Sequence, residues 1–380
     1  MKKILILAAA AMLLAGCARE PESVPAASTN VISPETAVQT VPTETTAPED
    51  PLGTILNGMT LEEKVGQLFL ARCRKETGVE DITAYHPGGY VLFGRDFDDQ
   101  APDGLRAQLE RYQSAANIPM LMAVDEEGGT VCRVSSHPAF RAEKYPSPRE
   151  AYAMGGMAVA LSVEWDKAYL LNSLGLNVNL APVCDISQAP GAFMYARSLG
   201  EDPQTTAEFV TGALERMAEN GVGGVMKHFP GYGDNADTHT GSAVDDRSLE
   251  VLENRDLIPF QAGIDSGLGA VLVSHNIVTA LDGERPASLS PAVMAYLRQS
   301  MGFSGVILTD DLSMGALEDY TPEEAAVLAL QAGATMLCST DFDTQIPAVL
   351  EAVRNGRLSE QTVEDAVYKI LTWKQSLGLL

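Results

Sequence analysis

Positive charge is scarce in this chain of 380 residues. Its 26 Lys and Arg stand against 51 Asp and Glu, a formal net charge of −25. Nucleic-acid binding needs clustered cations that displace counterions from phosphate, and charge-driven adhesion to an anionic membrane needs the same, so both are excluded as partners of the folded surface. Charged residues make up only 20% and hydrophobic residues 46%, which excludes disorder along the whole chain. The apolar run Ile4–Leu14 is too short for the roughly 20 residues that a membrane-crossing helix requires. Beyond Cys17, the cysteines Cys73, Cys132, Cys184 and Cys338 share no C-x-x-C spacing, which removes the usual zinc modules. An export signal permits disulfides, but the spacing demands none, so free thiols buried as small hydrophobes are expected. No G-x-G-x-x-G follows the first strand-like run, which leaves a dinucleotide-binding sheet without support.

What is present begins with a processing segment. Residues 1–17, MKKILILAAAAMLLAGC, place Lys2 and Lys3 before an apolar run, the layout of a secretory signal. Leu14-Ala15-Gly16-Cys17 resembles the bacterial lipobox, which implies a lipid on Cys17 and an extracytoplasmic, membrane-anchored protein. Residues 18–50 are rich in Pro, Ser, Thr, Ala and Glu without an apolar period, and are expected to form a disordered tether. The globular domain is expected over 51–380.

From residue 51 on, eight short apolar runs alternate with amphipathic stretches. The runs are 67–71, 89–93, 119–124, 177–183, 223–226, 270–274, 305–309 and 334–338. They suit strands covered on both faces. Helices are expected over 102–116, 150–174, 203–220, 248–266, 291–299, 322–332 and 359–376. Pro102, Pro203, Pro291 and Pro322 suit first-turn positions, and Gly221, Gly302 and Gly333 suit the residue after a helix. The connection after the first run carries the weakest helix signal. Eight such units predict an α/β fold of the (β/α)8 TIM-barrel type.

A barrel carries its chemistry at the C-terminal ends of its strands. Asp125, Asp185, Lys227 with His228, His275 and Asp310 all follow apolar runs. Charges directly after buried strands are costly unless they pair or bind something, so five such ends on one rim predict a site. The segment KHFPGYGDNADTHTG (227–241) adds Asp237 and His239, two residues apart, a spacing at which a carboxylate can orient an imidazole for proton transfer.

KHFPGYG with DTH, AVDEEGG-x-V-x-R and LTDDLSMGAL together resemble glycoside hydrolase family 3, in its β-N-acetylhexosaminidase (NagZ-type) branch, across roughly 51–380. The resemblance implies a retaining glycosidase with Asp310 as nucleophile and His239 as acid/base supported by Asp237. Sugar-binding positions are implied at Asp125, Arg133, Arg197, Lys227 and His228. Lys227 or His228 would supply positive charge to the nucleophile. Tyr232 stands where this branch often has His, the loop before Asp237 is one residue shorter than usual, and no second domain follows the barrel. A β-linked N-acetylglucosamine substrate, no cofactor, no metal and a monomer are expected. The alternatives are a β-glucosidase of the same family, a glycoside phosphorylase, and a solute-binding lipoprotein.

Overall fold

The structure, a computed structural model, describes residues 50–380 apart from 236, 239 and 240. The expectations for residues 1–49, Cys17 included, and for the side chain of His239 therefore lie outside the described residues. The strands of the main sheet are β1 (Phe69–Arg72), β2 (Gly89–Leu92), β3 (Leu121–Val124), β4 (Val178–Asn179), β5 (Gly223–Phe229), β6 (Ala270–Val273), β7 (Ile307–Thr309) and β8 (Leu337–Ser339). Each coincides with one of the eight apolar runs. From β1 to β7 each strand pairs in parallel with its sequence neighbours, and β1 also pairs with β8 through Phe69 opposite Leu337. Only an isolated bridge, Leu308 to Met336, joins β7 to β8, so the barrel is nearly closed. In the fourth run backbone hydrogen bonds continue beyond Asn179: Leu180 donates to the Val124 carbonyl, and the Ala181 and Pro182 carbonyls accept from Val225 and Lys227.

After α1 (Pro51–Gly58), α2 (Leu61–Gln67), α3 (Gly78–Tyr85) and α4 (Pro102–Ala115), the helices that position the rim begin where the sequence chemistry requires. α5 (Pro148–Ser173) has Pro148 in its first turn and a capping box in which Ser147 and Glu150 exchange hydrogen bonds. α6 (Pro203–Glu219) is capped by Asp202, which accepts from Gln204 and Thr205. The stretch expected as one helix over 248–266 is two, α7 (Leu249–Asn254) and α8 (Leu257–Asp265). Asp256 at the break is buried and pairs with Arg247 at 2.7 Å, an ion pair that fixes the chain between the two. Helices at Pro51–Gly58, Leu61–Gln67, Gly78–Tyr85 and Phe342–Arg354 were not anticipated. The last helix, Glu360–Ser376, buries Lys374 completely, with its ammonium 2.6 Å from Gln67 Oε1. Burial pulls that ammonium down to about 7. Cys73, Cys132, Cys184 and Cys338 are buried free thiols.

Candidate active site

The C-terminal ends of the strands open into a cleft of about 720 Å³. Asp125, Arg133, Arg197, Lys227, His228, Asp237 and Asp310 all line it. Asp125 and Asp310, 185 positions apart in the chain, thus meet at one mouth.

After β3 the consecutive acids Asp125, Glu126 and Glu127 divide their work. Asp125 accepts from Lys227 Nζ at 2.6 Å. Glu126, fully buried, turns away from the cleft and receives the N–H groups of Arg133, Val134 and Ser135 at 2.9, 2.7 and 3.2 Å, along with the Ser135 hydroxyl. It thereby shapes the return loop that carries Arg133. Glu127 takes both Arg197 Nε and Nη2, at 2.9 and 2.6 Å, and Lys227 Nζ at 2.7 Å. Burial works against the Glu127 charge, but the Arg197 and Lys227 cations outweigh it and hold the carboxyl well below the usual range. Burial likewise opposes the Lys227 ammonium, and Asp125 and Glu127 overcome it, so Lys227 stays charged.

His228 is bound on both ring nitrogens. Nδ1 lies 2.7 Å from Asp185, and Nε2 lies 3.1 Å from Arg197 Nη2. A guanidinium can only donate, so Nε2 accepts and the proton sits on Nδ1, facing the carboxylate. His228 is therefore a neutral ring, and the positive charge in the cleft comes from Lys227, Arg197 and the other arginines. Asp185 also accepts the backbone N–H of His228 and of Tyr232, at 3.1 and 2.7 Å, and so orders the start of the loop after β5.

The two acids after β7 separate by their bonds. Asp311 receives the N–H and hydroxyl of Ser313, at 3.0 and 2.9 Å, and those of Thr340, at 3.2 and 2.6 Å. Its lone pairs are committed to holding two loops. Asp310 Oδ1 accepts from the Asp311 N–H at 2.9 Å, and its carboxyl faces the cleft. His275 bridges Ser288 and the Asp311 carbonyl, which makes it a brace for the rim. Cys338 also lines the cleft, where burial holds its thiol well above the usual range and so protonated.

Two further groups belong to the site. Glu127 is one: its i, i+2 spacing from Asp125 in extended chain puts both on one side, and both hold Lys227. Arg72 is the other. It lines the cleft with its guanidinium 4.1 Å from the Phe93 ring, but the expected first strand stopped at Ala71, one residue short of it. Among the described residues no three His, Cys, Asp or Glu are grouped as metal ligands.

The sequence matches the glycosyl hydrolase family 3 N-terminal domain over residues 60–373. The chain belongs to glycosyl hydrolase family 3. It is 32% identical, over 98% of its length and 97% of the relative's, to the beta-hexosaminidase LpqI of Mycobacterium tuberculosis. Its fold is similar to the solved M. tuberculosis LpqI, with a TM-score of 0.78, 29% identity, and coverage of 86% of this chain and 96% of that one. It is also similar to a family 3 β-N-acetylglucosaminidase from Paenibacillus sp. FPU-7, with a TM-score of 0.79 and 32% identity, covering 84% of this chain and 63% of that one. The family 3 chain is a glycosidase. Asp310, Lys227 and Arg197 line its cleft, and the buried Glu127 pairs with both cations.

Proposed function

We propose that the protein is a retaining exo-β-N-acetylhexosaminidase that releases terminal N-acetylglucosamine from peptidoglycan fragments or chitooligosaccharides. Asp310 attacks the anomeric carbon, and the glycosidic bond breaks as the leaving oxygen takes a proton from His239. The neutral His239 then draws a proton from water, which displaces the sugar from Asp310. Asp237 orients the imidazole and stabilises its cationic form. Arg133, Arg197, Lys227, Asp125 and His228 bind sugar hydroxyl and acetamido groups. Because Glu127 and Asp185 already fix the Arg197, Lys227 and His228 side chains, little ordering remains to be done when the sugar enters.

The observation that carries this reading is that Asp237 lines the same cleft as Asp310, since the Asp-x-His element separates the N-acetyl branch from the β-glucosidases. The names of the relatives point the same way. The test is hydrolysis of p-nitrophenyl β-N-acetylglucosaminide against p-nitrophenyl β-glucoside. A preference of at least tenfold in kcat/KM for the N-acetyl sugar is expected, and a preference for the glucoside would reverse the assignment. The same assay in phosphate buffer should release free sugar; accumulation of sugar 1-phosphate would make the enzyme a phosphorylase.

We also propose that Cys17 carries lipid and that residues 18–50 tether the enzyme to the outside of the cell membrane. Metabolic labelling with a fatty acid should mark the wild type and spare Cys17→Ala.

A further inference from the structure

The stretch that delivers Asp237 is anchored from both sides of the cleft. Tyr232 is 1% exposed, and its backbone N–H is held by Asp185. Its ring meets His228 edge-on at 5.2 Å and lies 5.6 Å from Phe193. With the ring boxed in, its hydroxyl has one direction, and there it hydrogen-bonds the Thr238 hydroxyl. Thr238 is fully buried, and its carbonyl accepts the N–H of Ala316 at 3.1 Å, from the loop that follows Asp310 and Asp311. One residue is thus tied to the β5 loop through its side chain and to the β7 loop through its backbone. That residue stands between Asp237 and His239 in sequence.

We propose that Tyr232 and Thr238 form a positioning pair that seats Asp237 in the cleft that Asp310 also lines. The inference rests on the acid/base assignment above and extends it to two residues that touch no substrate. The same chain of contacts, from Arg197 through His228, Asp185 and Tyr232 to Thr238, links the sugar-binding cations to the proton-transfer element. Burial and the nearby Asp310 charge raise the Tyr232 phenol above its usual range, so it stays protonated throughout the working range of the enzyme. A His at this position could change charge near neutral pH, whereas the phenol keeps the hydrogen bond independent of pH.

The test uses the full chain and its Tyr232→Phe, Thr238→Val and Thr238→Ser variants, with chitobiose as a substrate whose leaving group needs protonation and a dinitrophenyl N-acetylglucosaminide as one whose leaving group does not. Misplacing a catalytic group by about 1 Å can cost about a hundredfold. Tyr232→Phe and Thr238→Val should therefore each lower kcat/KM on chitobiose by tenfold or more and change it less than twofold on the dinitrophenyl glycoside. Thr238→Ser keeps the hydroxyl and should retain activity on both. The double variant should lose no more than the worse single variant, because one hydrogen bond is removed in all three. Equal losses on both substrates, or additive losses in the double variant, would overturn the pairing and leave only a packing role. Wild-type enzyme active on chitobiose with unaffected variants would reject the pairing alone, whereas a wild type inactive on both sugars would reject the function on which it rests.

Discussion

Glu127 balances two buried cations, and its removal should be felt as both stability and activity. Glu127→Gln leaves Lys227 with Asp125 and takes from Arg197 the carboxylate it pairs with, a change that costs about 3–5 kcal/mol when one partner of a buried pair is lost. Urea unfolding of the variant measures it, and a loss below about 1 kcal/mol would mean that water reaches the pair. Asp310→Asn should abolish turnover, while its amide oxygen can still accept from the Asp311 N–H. Asp311→Asn should lower the melting temperature, because the amide cannot satisfy both the Ser313 and the Thr340 donors. At this scale the sequence was legible where charge follows a buried strand. Asp125, Asp185, Lys227, His228 and Asp310 were all visible as such ends. The choice between Asp310 and Asp311 was not, since it turns on which carboxylate the Ser313 and Thr340 loops consume, and those loops meet only in the folded barrel. The neutral state of His228 was equally hidden, because it depends on Arg197, 31 positions away.

The helices show which local signals travel intact from sequence to fold. Proline in the first turn and glycine after the last turn mark the ends of α6 correctly, and Gly221 and Gly333 take φ of 68° and 115°, values open to glycine at little cost. The helix Phe342–Arg354 escaped notice although its buried positions Phe342, Ile346 and Val349 follow the helical period, because Pro347 stands inside it. The break between α7 and α8 escaped notice because Asp256 forms its pair with Arg247 only after the chain has folded back. The capping box of α5 also sits against the loop after Glu127, where a Cβ on Gly128 would come within 2.1 Å of the Pro146 carbonyl oxygen. Ser147→Ala should cost about 1 kcal/mol through the lost cap. Gly128→Ala should cost more than the cap and also raise KM, because at φ +99° the added carbon strains the backbone that leads to Arg133.

The barrel as a whole was legible from the eight runs; how it closes was not, because β7 and β8 share little more than the Leu308–Met336 bridge. Its N-terminal end conceals Lys374, whose charge must be lost or tolerated in the dry interior. With its folded value near 7 and its unfolded value near 10.4, the unfolded chain holds more protons between those limits, so this residue makes stability rise with pH from about 7 to about 10.4. Below pH 7 the full cost of burying the cation is present. Lys374→Met should therefore be more stable than the wild type at pH 6.5, and its advantage should shrink by up to about 1.4 kcal/mol per pH unit on going to pH 9. A pH-independent difference would mean that Lys374 titrates normally. The proposed function stands on Asp310 as the group that bonds to sugar. Incubation with a 5-fluoro-N-acetylglucosaminyl fluoride, followed by peptide mapping of the trapped enzyme, identifies the labelled carboxylate. The label should sit on Asp310 at one sugar per chain and be absent from Asp310→Asn; a label on Asp311 or on any other carboxylate would remove Asp310 as the nucleophile.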